Sequence, residues 1–123
     1  MADEIQIQQR VTVRKGNFNR TWDPAVAQVD QAGQGGFSAV LSVGTSEEVI
    51  AFTDVGTYGI LCMRNLDDTN FVTYGPESGG AMVGFGRLNP GGEPQTLRLE
   101  PGITLRMQAD TGACDVELLL LEN

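Results

Sequence analysis

Hydrophobic and polar residues alternate along most of this chain, beginning near its first residues. Ile5, Ile7, Val11 and Val13 share one parity, interrupted by Gln9, while Gln6, Gln8, Arg10, Thr12 and Arg14 take the other. A period of two over nine or more residues predicts a half-buried strand across 5–13. Lys15-Gly16-Asn17 punctuates it. Phe18 and Trp22 then predict a short aromatic strand that ends at Asp23-Pro24, because proline cannot donate to a ladder. Residues 25–30 alternate weakly, as an edge strand does, and the glycine-rich stretch 31–36 reads as a loop.

The same signature recurs down the chain. Phe37, Ala39, Leu41 and Val43 face one way, with Ser38 and Ser42 opposite. Residues 49–53 predict a strand and Asp54-Val55-Gly56 a turn. Ser46 ahead of Glu47 and Glu48 resembles a helix cap, but no periodic apolar run follows it. Residues 58–65 are apolar on both parities, the mark of a central strand covered on both faces. Strands are predicted at 71–74, 81–88, 95–99, 103–109 and 113–121, with loops at 65–70, 75–80 and 89–94 and tight turns at 100–102 and 110–112. Gly84 and Gly86 inside one of these strands mark a bulge or a close backbone approach.

Nine or ten short strands with turn signals every eight to twelve residues predict an all-β fold: an antiparallel β-sandwich, jelly-roll-like, with very low helix content. At 123 residues the chain suits a single domain over 1–123. No internal repeat at a propeller or solenoid period is present.

Composition narrows the chemistry. There is no histidine, which removes the Ser-His-Asp and Cys-His nucleophile systems, the commonest zinc sites and the usual neutral-pH proton shuttle. Eight basic against 16 acidic residues give a net charge of −8. Such a field repels phosphate backbones and anionic lipid, so neither nucleic acid nor membrane is an expected partner. The start, Met-Ala-Asp-Glu-Ile-Gln, has neither the basic nor the apolar region of a secretory signal, and no apolar run approaches a membrane span. Cys62 and Cys114 read as buried small hydrophobes, with a disulfide between neighbouring strands left open; their spacing excludes a CxxC redox pair.

The glycine clusters 33–36 and 84–86 lack the lysine and following helix of a phosphate loop and read as turn or bulge glycines. Asp67-Asp68-Thr69-Asn70 gathers oxygen ligands of the kind calcium uses, yet lacks the glycine and distant glutamate of an EF-hand; Asx-turn capping is the leading reading. Asp110, Asp115 and Glu117 read as solvated acids rather than members of a glycosidase pair. Among Trp22, Phe18, Phe37, Tyr58, Phe71, Tyr74 and Phe85, most are expected in the core, with Tyr74 beside Gly75-Pro76 the candidate exposed aromatic contact. No catalytic constellation, cofactor site or metal site is assigned.

Two stretches carry a resemblance. One is Arg64-Asn65-Leu66-Asp67-Asp68-Thr69-Asn70-Phe71-Val72-Thr73-Tyr74-Gly75-Pro76; the other is Arg87-Leu88-Asn89-Pro90-Gly91-Gly92-Glu93 followed by Leu97-Arg98-Leu99-Glu100-Pro101-Gly102. Together they resemble small all-β virion structural proteins of tailed bacteriophages, in which an R-N-L-D-x-T-N-[FY]-V segment precedes an R-L-x-P-G-E turn and a closing hairpin. The similarity spans about residues 37–122; Gly92 is an insertion before Glu93, and the first strand lies outside it. The resemblance implies a capsid decoration (cement) protein or a fibre- or tail-associated domain in the virion, bound to the major capsid or another virion protein. It implies a non-enzymatic homo-oligomer, with a trimer favoured. Residues 1–14 are then the expected arm exchanged with a neighbouring subunit, through Ile5, Ile7, Arg10, Val11, Val13 and Arg14. Two other classes remain open: a carbohydrate- or receptor-binding module, and a small hydrolase using a carboxylate pair.

Overall fold

The computed structural model describes residues 4–123, and these part into two compact units between Ala32 and Gly33. The larger unit comprises residues 33–123 and the smaller one the residues before them.

The N-terminal unit holds β1 (Ile5–Ile7), β2 (Val11–Lys15), β3 (Phe18–Trp22) and β4 (Ala27–Val29). Gly16, at φ +57°, supplies the left-handed backbone that a two-residue hairpin turn needs, and β2 pairs with β3 from Lys15↔Phe18 to Val11↔Trp22. β1 pairs antiparallel with β4. The continuous strand expected over 5–13 thus breaks at residues 8–10, where Gln9 leaves the apolar parity empty and nothing apolar holds the register.

The larger unit is built from two antiparallel sheets. One has the order β11 (Pro94–Arg98), β7 (Tyr58–Asn65), β13 (Cys114–Glu122), β5 (Gly36–Val43). The other runs β10 (Gly86–Leu88), β8 (Val72–Ser78), β12 (Leu105–Ala109), β6 (Glu48–Val49), with β9 (Ala81–Met82) also paired to β8. Inward residues of both sheets meet in one core: Val43, Leu61, Met63, Val116, Leu118 and Leu120 from the first, Val72, Tyr74, Leu88, Leu105 and Met107 from the second. Among the described residues none is helical.

Three boundaries differ from those read off the sequence. β8 runs on through Gly75-Pro76, where a loop is expected. Pro76 lies after the last residue paired with β10 and before the first paired with β9, so its missing N–H breaks no ladder on that side. The strand expected over 81–88 is two short strands, because residues 83–85 cross β8 as a bulge in which Val83 N–H donates to Pro76 C=O and Phe85 N–H to Tyr74 C=O. The strand expected at 49–53 shrinks to Glu48–Val49; beyond it, Phe52 turns in between Phe37 and Tyr58, edge-on to each at 5.4 Å.

Candidate functional site

The alternation of β2 and β3 sorts the hairpin into two unlike faces. The register places Val11, Val13 and Lys15 beside Trp22, Arg20 and Phe18, and Thr12 and Arg14 beside Thr21 and Asn19. On the first face Val11 is 60% exposed, Trp22 56% and Phe18 52%. Exposed aromatic clusters are costly in a free soluble unit, which makes this face the candidate contact surface of the N-terminal unit. Charge reinforces the contrast. Residues 10–22 carry four cations (Arg10, Arg14, Lys15, Arg20) and no carboxylate, a local net charge of +4. Residues 33–123 carry four arginines against twelve carboxylates, net −8. The Arg20 guanidinium lies 4.8 Å over the Phe18 ring, and Arg10 stands 3.8 Å from Asp23, an exposed pair worth little on its own.

Of the interface residues expected from the sequence, Val11 and Val13 come together on this face, whereas Arg14 lies on the opposite, polar one. Arg10 precedes β2, and half-buried Ile5 and Ile7 belong to the separate β1–β4 pair. Phe18 and Trp22, which the parity argument consigns to a core, complete the face instead. They share parity with Val11 and Val13 across a two-residue turn, a relation visible in the sequence once the hairpin is drawn. Phe85, also expected inside, is 80% exposed on the bulge between β9 and β10.

Tyr74 is a correction. It is not an exposed contact but a core residue, 5% exposed, because β8 continues past Gly75 and keeps it in the inward row with Val72. Its ring lies against Gly86, where a Cβ would come within 2.3 Å of it, so Gly86 is the close approach that the sequence anticipates. The Tyr74 hydroxyl donates to Gln95 Oε1, and Gln95 Nε2 donates to the Arg87 carbonyl at 2.6 Å. Burial raises the Tyr74 pKa above its ordinary value.

The cysteines are both free, as the leading reading expects, but they stand on opposite faces of the same sheet: Cys114 inward and buried, Cys62 outward and only half-buried rather than buried. Alternation therefore forbids the disulfide. Burial also raises the Cys114 pKa, with Asp67 adding to the effect.

Segments 64–76 and 87–93 are locked together through Asn65 and Asp67. Asn65, fully buried, donates through Nδ2 to the Asn70 carbonyl at 2.8 Å and the Leu88 carbonyl at 3.2 Å, while its Oδ1 accepts from Asp67 N–H at 2.9 Å. Asp67 accepts the N–H groups of Thr69 and Asn70 at 2.9 and 2.6 Å, which holds its carboxyl below the usual range. The second stretch closes over the first: Gly91 N–H donates to Asp67 C=O, Gly92 N–H to Asn65 C=O, and the Arg87 guanidinium sits 3.8 Å over Phe71. Gly91 and Gly92, at φ +94° and +83°, adopt a backbone that side-chain-bearing residues resist. The Asp67 carboxylate thus serves its own loop as an Asx turn.

Other acids are similarly engaged. Glu47 and Glu77 both pair with Arg106, and Glu122 accepts from Gly35 and Gly56 N–H. A shallow concavity of about 420 Å³ on the outer face of the four-stranded sheet is lined by Val40, Cys62, Thr96 and Leu119, with Glu117 held by Arg64 at 2.8 Å. Among the described residues no three His, Cys, Asp or Glu side chains cluster as metal ligands, and no helix is long and apolar enough to cross a membrane. No known protein family, curated protein or solved structure matches the chain.

Proposed function

We propose that this is a non-enzymatic structural protein of a bacteriophage virion, a capsid decoration protein that binds the particle surface as a homo-oligomer, with a trimer as the favoured assembly. In this reading the larger body is a β-sandwich of jelly-roll type serving as a rigid piece, and the N-terminal unit is the element through which it assembles with neighbouring subunits on the particle. The protein is made in the host cytoplasm and resides in the particle, against the major capsid protein or another virion component.

The observation that carries the reading is the segregation of surface chemistry: an exposed hairpin face of Val11, Phe18 and Trp22 in a cationic segment, on a chain whose remaining body is strongly acidic. A rigid body with one bare adhesive element is what such assembly requires, and assembly needs no nucleophile or cofactor. The resemblance to phage virion proteins around Asn65 supplies the context of a virion. Removing residues 1–14 deletes β1 and most of β2, and the truncated chain is expected to vanish from purified particles. Incorporation at unchanged stoichiometry would refute the assignment of assembly to this unit.

A second reading, a carbohydrate- or receptor-binding module of a fibre or tail, draws on the exposed indole of Trp22. An aromatic face stacks on sugar rings as readily as on a protein. Titrating Trp22 fluorescence with sugars separates the two, since the decoration reading expects no saturable change.

A further inference from the structure

The larger unit ends on one side in a strand edge without the usual protection. β5, Gly-Phe-Ser-Ala-Val-Leu-Ser-Val, is eight residues long, holds no charge and no proline, and β13 is its one ladder partner among the described residues. The other edges of this unit are blunted: β11 opens on Pro94 and closes on Arg98, β10 is three residues with Arg87, and β6 is two residues with Glu48. Long, uncharged edges are what natural sheets avoid unless something pairs with them. Glu122 N–H donates to Gly35 C=O, so by the alternation of an antiparallel ladder Gly36, Ser38, Val40 and Ser42 turn their backbone groups toward the free edge. Burial also falls off toward this edge: the inward residues of β13 are essentially buried, whereas Phe37, Ala39 and Leu41 of β5 are only partly buried, with Phe37 and Leu41 packed against the core.

We infer that the β2–β3 hairpin of one copy adds to the β5 edge of a second copy, extending the four-stranded sheet and covering the partly buried side of its core. This rests on the homo-oligomeric part of the reading above and names its contact. The hairpin face that carries Val11, Val13, Phe18 and Trp22, together with Lys15 and Arg20, meets the partly buried row of Phe37 and Leu41, and the face of Thr12, Arg14, Asn19 and Thr21 continues the side of Ser38, Val40 and Ser42. The charges match as well. The hairpin brings a net +4 to a body of net −8, and Asp115 lies directly across from Ser42, on the side where Arg14 arrives. Self-pairing of two β5 edges would instead bring two bodies of net −8 together and leave both hairpin faces bare. Hairpin-to-edge contact is heterologous, each copy donating once and accepting once, so it generates closed rings such as a trimer when the rotation closes.

The test is the mass of the full-length protein by sedimentation equilibrium over a concentration and salt series. Wild type is expected as an oligomer that dissociates as salt rises. Val40→Lys, at a position 56% exposed, places a charge on the acceptor edge; Phe18→Ser with Trp22→Ser strips the donor face. Each variant is expected to weaken association at least about tenfold and to run at the monomer mass of 13.2 kDa. Arg14→Glu is expected to weaken association and flatten its salt dependence. Mixing the Val40→Lys chain with the Phe18→Ser/Trp22→Ser chain restores one intact donor–acceptor pair, so a complex of twice the monomer mass is expected. Wild type that stays monomeric, a Val40→Lys chain that associates normally, or a mixture that stays monomeric would each overturn the contact. If the same chains still enter particles, the virion reading survives without it.

Discussion

Replacing Asn65 by alanine should unlock the larger unit, and the size of the effect follows from three hydrogen bonds. The amide side chain is fully buried and satisfies the Asn70 carbonyl, the Leu88 carbonyl and the Asp67 N–H at once. A typical bond contributes about 1 kcal/mol net, and a buried group left without a partner costs about 1–3 kcal/mol. Leu88 is fully buried, so its carbonyl has no ready access to water, whereas the loop groups near Asp67 are better placed to recover it. The expected loss is therefore about 3 kcal/mol. For a unit of this size that corresponds to a fall in Tm of about 15 °C, read by calorimetry or circular dichroism. Amide exchange should locate the damage, with Asp67, Gly91 and Gly92 N–H losing protection first because their acceptors and donors belong to the lock. A loss below about 1 kcal/mol, or exchange that accelerates evenly over the sheets, would show that Asn65 does not join the two stretches.

Three further outcomes follow from other parts of the fold. Gly75→Ala drives a Cβ to 1.9 Å from the Val83 carbonyl, a backbone clash that relieves only by displacing the 83–85 bulge; a loss of about 1–3 kcal/mol in urea unfolding is expected, and a neutral result would deny the close approach. Native protein should offer one thiol, Cys62, to an exposed-thiol reagent and two after unfolding, since Cys114 is buried and its thiolate disfavoured; two native thiols would contradict the inward placement of Cys114. Tyr74 should ionise above the ordinary tyrosine value of 10.0, visible as a delayed phenolate absorbance. Because its pKa is raised in the folded state, the contribution of its burial to stability is whole below pH 10 and declines as pH climbs through the folded value; ionisation of Tyr74 at the ordinary value would contradict the burial.

The strands of the larger unit were legible because their inward positions repeat with period two: Leu105, Met107 and Ala109, or Val116, Leu118 and Leu120, declare their face without help. Tyr74 is not legible as a core residue because Gly75-Pro76 is turn chemistry in isolation, and only the paired β12 and the bulge at 83–85 show why the strand persists. Phe18 and Trp22 escape the pattern for a different reason. Parity says which residues share a face, not whether that face has anything to cover it. The coupling of segments 64–76 and 87–93 through Asn65 is equally hidden, since 23 residues separate it from Leu88 and no local pattern encodes that distance.

The central claim is that this chain works as a building piece of a virus particle. Quantitative mass spectrometry of purified particles tests it most directly. The account predicts the chain in every preparation, at a fixed copy number set by the particle's symmetry. Particles that lack it, or purified protein that turns over a small molecule, would contradict the account.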